Sequence, residues 1–70
     1  METKKDKFKR IAEKRVERIL NDLDLLSNCS NTYNYDYEKE DVVKIFKTLN
    51  SSVRRCKESF EKASRSKFKL

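Results

Sequence analysis

The side chains able to do chemistry in this chain are two cysteines, scattered carboxylates, three tyrosines and many amines, with no histidine. Without His, the usual neutral-pH general base and metal ligand is missing. No nucleophile–base pair can be assembled, and with no glycine there is no loop to cradle a nucleotide phosphate. Asp22/Asp24 and Glu40/Asp41 are acid pairs, but helix neighbours one or two positions apart diverge and do not share a proton. Cys29 and Cys56 are 27 residues apart with no CxxC partner, which is not a zinc spacing. The expectation is a non-enzyme with no cofactor, metal or small-molecule substrate, acting by binding.

Binding chemistry is plentiful. Lys and Arg number 18 against 12 acids, a net charge of +6. Residues 1–18 hold eight basic side chains and four acids, a balance of +4; residues 47–70 hold eight against two, +6; the middle, 19–46, is −4. The candidate nucleic-acid contacts are Lys4, Lys5, Lys7, Lys9, Arg10 and Lys14 in the first segment. In the last they are Arg54, Arg55, Lys57, Lys62, Arg65 and Lys67. Phosphates neutralised by such groups release counterions, which raises affinity. The competing reading is a solvated lysine-rich face. No recognition-helix, zinc-finger or RNP-like signature specifies a base sequence or separates DNA from RNA.

Tyr33-Asn34-Tyr35-Asp36-Tyr37 is the most distinctive local feature. Alternating rings in a loop suit base stacking. They also suit capping an apolar core over Leu26 and Val42, or meeting a protein. Asp36, Glu38, Glu40 and Asp41 repel phosphate there, which favours capping or a protein partner.

Two helices must position these groups. Phe8, Ala12, Val16, Ile19, Leu23 and Leu26 recur in steps of 3 and 4, one face of an α-helix. Thr3 followed by Asp6 is a capping arrangement at its start. The run stops at LSNCSNTYN, where Asn tolerates the left-handed conformation that ends helices. Val42, Ile45, Leu49, Val53, Cys56, Phe60 and Ala63 form a second seam, close to a coiled-coil heptad. Glu38, Glu40 and Asp41 at its start, and Lys62, Arg65, Lys67 and Lys69 at its end, complement the helix dipole. Asn50-Ser51-Ser52 is a poor helix stretch and an alternative start for a third helix. The seam runs through it in phase, which predicts one unbroken helix.

The predicted organisation is a single all-α domain, 1–70: helix 4–27, a Tyr/Asn loop at 28–38, helix 39–65 and a basic tail at 66–70. The two seams fit an antiparallel hairpin in which residue numbers adding to about 68 meet, six layers from Leu26/Val42 to Phe8/Phe60. In that register Cys56 is a small core residue facing Ala12. It lies roughly 25 Å from Cys29, too far for a disulfide. The hairpin also joins the basic segments at one end and leaves the loop end acidic. Two helices alone bury little, so completion by a homodimer or by docking on a larger partner is expected. Leu20, Val43 and Phe46, with the three tyrosines, are the candidate partner-binding residues; the alternative is that these three aliphatic and aromatic positions only widen the core stripe. No apolar run reaches the ~18 residues of a membrane span, and METKKDKFKR lacks a signal-peptide core, so a cytoplasmic location is expected.

The stretch Leu26-Ser27-Asn28-Cys29-Ser30-Asn31, the turn Tyr33-Asn34-Tyr35-Asp36-Tyr37, and Glu40-Asp41-Val42-Val43-Lys44-Ile45-Phe46 resemble small uncharacterised proteins of Gram-positive plasmids and other mobile elements. The likeness covers L-x-N-x-S-N, N-Y-x-Y, and an acidic helix start before K-I-F. Glu38 stands where that pattern has a Thr or Ser cap, leaving Asp36 to take the role. In size, charge and element type the chain is also similar to the small accessory subunit that joins an A-family primase-polymerase in staphylococcal cassette elements. These resemblances imply an accessory role in replication or element maintenance. The rival expectation is a pure protein-interaction module, an inhibitor or assembly adaptor without nucleic-acid binding.

Overall fold

The computed structural model describes residues 1–66. The chain is all-α: α1 spans Lys4–Asn28, α2 spans Lys39–Ser66, and residues 29–38 join them. It divides into two units, Met1–Asp36 around α1 and the part from Tyr37 onward around α2.

The start of α1 follows from Thr3. Its extended backbone (φ −78°, ψ 166°) lets the hydroxyl accept from the Asp6 amide at 3.0 Å, while its carbonyl accepts from the Lys7 amide at 2.9 Å. One otherwise orphaned N–H is thereby satisfied, and Asp6 sits at the positive end of the dipole. Just before the cap, Glu2 reaches over the first turns and holds Arg10 in a fork, with Nε–Oε2 at 2.8 Å and Nη2–Oε1 at 3.1 Å.

The end of α1 departs from expectation. No described residue has positive φ, so Asn does not close the helix in a left-handed turn. Instead the backbone tightens: Cys29, the cap, stays helical (φ −71°, ψ −10°), and its amide donates to the Leu26 carbonyl at 2.9 Å. The Ser30 amide follows onto Ser27 at 3.0 Å. The Ser30 hydroxyl adds a bond to the same carbonyl (2.7 Å), and the Ser27 hydroxyl bonds that of Leu23 (3.0 Å). Serine hydroxyls satisfy the last carbonyls, so no left-handed residue is required.

Asn31 organises the connection. Its side-chain oxygen accepts from the Tyr33 amide (3.0 Å), and its carbonyl accepts from Asn34 (3.2 Å) and Tyr35 (3.0 Å). This is an Asx-turn of the kind Asn favours. Glu38 stands in the cap position just before α2, and its carbonyl accepts from the amides of Asp41 (3.1 Å) and Val42 (3.4 Å). The capping carboxylate is that of Asp41, which accepts from the Glu38 amide at 2.9 Å. It takes the place expected for Asp36, because a carboxylate three residues into the helix can reach back to the cap amide.

α2 runs unbroken through Asn50-Ser51-Ser52. Its polar side chains bond locally and leave the ladder intact. The Thr48 hydroxyl donates to the Lys44 carbonyl (2.9 Å), the Ser59 hydroxyl to that of Arg55 (3.2 Å), and Ser52 Oγ accepts from Arg55 (3.1 Å). The helix extends to Ser66, one residue into the expected tail; 67–70 lie outside the described residues.

No residue through 64 is buried. Ile11, Ala12, Leu26, Val42, Leu49 and Ser51 are partly covered and the rest are exposed. Cys56, expected in a core, is an exposed free thiol, as is Cys29. The physical reason is that periodicity places Cys56 on the apolar face but does not supply the surface that covers it.

Candidate nucleic-acid and partner interfaces

The basic residues are best placed one helix at a time. On α1, Lys7, Arg10, Lys14 and Arg18 step by 3 and 4, so they form a line along one face. The seam Phe8, Ala12, Val16, Ile19, Leu23 and Leu26 forms a second line on the opposite face. Lys4 flanks the basic line. Lys5 extends the seam toward the N-terminus, and Lys9 lies at its edge, so these two stand apart from the main basic line. Arg18 was outside the expected contacts, although the same spacing signals it.

Arg10 is the member already engaged. The Glu2 carboxylate raises the guanidinium's pKa above its ordinary value, against a smaller lowering by desolvation, so it remains cationic. Lys7, Lys14 and Arg18 have no carboxylate partner among the described residues and are exposed. They are available to phosphate oxygens spaced along a backbone.

On α2 the seam again occupies one face. Lys44, Lys47, Arg54 and Lys62 lie on the other, with Ser51 and Glu58 interrupting their line. Arg55 and Lys57 fan to either side, and Arg55 donates to Ser52. Lys44 and Lys47 were also outside the expected contacts. Arg65 lies in the last turn of α2, and Lys67 falls outside the described residues.

The partner-binding candidates divide between the units. In the first, Tyr33 is 94% exposed and Leu20 is exposed at the edge of the α1 seam. A ring so exposed cannot cap an apolar core, which corrects that expectation for Tyr33. Tyr35 is half-exposed. In the second unit, Val43 and Phe46 are exposed three residues apart, Phe46 beside the α2 seam and Val43 turned toward the basic side near Lys47 and Arg54, and Tyr37 precedes the helix with its ring partly accessible. Along the seams, Phe8, Val16 and Ile19 on α1, and Val53 and Phe60 on α2, each expose more than half their surface.

Among the described residues no group of three or more His, Cys, Asp or Glu could hold a metal ion. No described helix is long and apolar enough to cross a membrane. No known protein family, curated protein or solved structure matches the chain.

Proposed function

We propose that this chain is a small non-catalytic accessory protein of the cytoplasm that docks on a larger protein or on a second copy through its apolar faces and contacts nucleic acid through its basic ones. The observation that carries this reading is the two-sidedness of each helix. An exposed apolar line faces one way and an exposed basic line the other, and no residue through 64 is buried. Apolar side chains at this density gain by being covered, at about 25 cal/mol per Å² removed from water. Lysines and arginines on the opposite face stay in water and remain free to meet phosphate. The resemblance to mobile-element proteins and to a polymerase accessory subunit suggests replication or element maintenance as the setting.

The test is binding to short single- and double-stranded DNA and RNA across a salt series, followed by fluorescence anisotropy. Affinity should fall steeply with salt, and Lys7, Lys14 and Arg54 changed together to Glu should abolish it. No binding at low salt would remove the nucleic-acid half. The second reading, a pure protein-interaction module, is favoured by the exposed Tyr33 ring so close to acids. It predicts that Tyr35, Tyr37 and Phe46 to Ala release the partner while charge reversal does little.

A further inference from the structure

We infer that the apolar face of α1 is covered by α1 of a second copy running antiparallel. This rests on the reading of the apolar faces as docking surfaces, and it names the occupant of one of them. The argument begins with charge. Residues 4–16 hold seven basic side chains against Asp6 and Glu13, a balance of +5; residues 17–28 hold Arg18 against Glu17, Asp22 and Asp24, −2. A parallel copy sets basic half on basic half. An antiparallel copy sets basic half on acidic half, at both ends at once. α2 laid over the same face in the register read from the sequence brings a second basic segment there instead.

The side chains then fall into register. With residue numbers adding to about 35, Val16 meets Ile19 of the copy, Ala12 meets Leu23, and Phe8 meets Leu26 within one residue. Large opposes small where Ala12 faces Leu23, and β-branched side chains meet at the two-fold axis. Phe8, Val16, Ile19 and Leu23 are all exposed in the single chain and become the shared core. Beside that core, Arg15 on one flank comes opposite Asp22 of the copy, and the symmetry repeats the pair. The Lys7–Arg18 line lies on the outer side of each copy, so nucleic-acid contact and self-association use opposite faces.

Sedimentation equilibrium of the full chain over a dilution series, together with charge exchange, tests this. The wild type should show a reversible dimer. Arg15→Glu and Asp22→Arg should each weaken it about tenfold, two repulsive contacts replacing two attractive ones, and the double exchange should restore it. With Cys29 and Cys56 both changed to Ser, Ala12→Cys together with Leu23→Cys should give covalent dimers on mild oxidation. A wild-type monomer throughout the series, or a double exchange that fails to restore the dimer, overturns the inference. So does an intrachain disulfide to native Cys56 in Ala12→Cys alone, which would place α2 on this face. Nucleic-acid binding is measured on the same samples. A monomer that binds with steep salt dependence overturns the dimer but leaves the proposed function standing, whereas a dimer without nucleic-acid affinity supports the inference and removes that half of the function.

Discussion

The carboxylate of Asp41 accepts a hydrogen bond at 2.9 Å from the backbone amide of Glu38, three residues before it, and so closes the start of α2 from inside the helix. Nothing else in this segment has the serine or threonine of a common N-cap. Asp41→Ala should therefore cost about 1 kcal/mol of α2 stability. Circular dichroism during thermal unfolding should show the loss. Glu40→Ala, in the same turn but lacking that bond, should cost less, through the dipole term alone. Equal effects of the two changes would mean that the bond contributes nothing.

Glu2 and Arg10 offer a different prediction, because their pair competes with function. The fork spans eight residues on an exposed surface, so its own contribution to stability is small. It does occupy one cation of the Lys7–Arg18 line. Glu2→Gln should leave thermal unfolding nearly unchanged while strengthening nucleic-acid binding and steepening its salt dependence by about one counterion. A weaker complex would show that Arg10 needs Glu2 to be correctly placed.

How much of this was readable in the residues differs by feature, and the reasons are physical. The seams, the Thr3 cap and the passage of α2 through Asn50-Ser52 were legible, since each rests on a spacing of 3 or 4 that the helix itself enforces. The end of α1 was not. Ser27, Ser30 and Asn28 are all able to end a helix, and only the backbone reveals that i→i−3 bonds with serine hydroxyls win over a left-handed turn. Asp36 and Asp41 were likewise both able to cap α2. Cys56 shows the largest gap: a pattern identifies the face a residue shares, whereas its burial depends on what covers that face. The candidate basic residues were legible by type, but their division into a line, an edge and a flank needed the helix boundaries.

The Lys7, Arg10, Lys14, Arg18 line makes a quantitative prediction. If it tracks a duplex backbone, changing Lys7, Lys14 or Arg18 singly to Ala should reduce the salt slope of binding by roughly one each and weaken affinity evenly across sequences. Lys5→Ala, on the seam side, should leave the slope nearly unchanged. Equal losses at all four positions would point to diffuse attraction by net charge rather than to a face.

Cys56 reports directly on whether the α2 seam is covered. Both thiols are exposed in the chain as described, so each should react with a small alkylating reagent at a similar rate without unfolding. Cys56 lies on the apolar line between Val53 and Phe60, whereas Cys29 lies in the connection after α1. A partner seated on the α2 seam should therefore slow alkylation of Cys56 and leave Cys29 reactive. Mass spectrometry of the two cysteine peptides, taken at intervals with and without the partner, separates the rates. Protection of Cys29 alone would place the partner at the connection, with the tyrosines, instead of on the seam. Protection of Cys56 already present in the isolated chain and lost on dilution would identify the covering surface as another copy. Protection unaffected by dilution would mean that the chain covers the seam by itself.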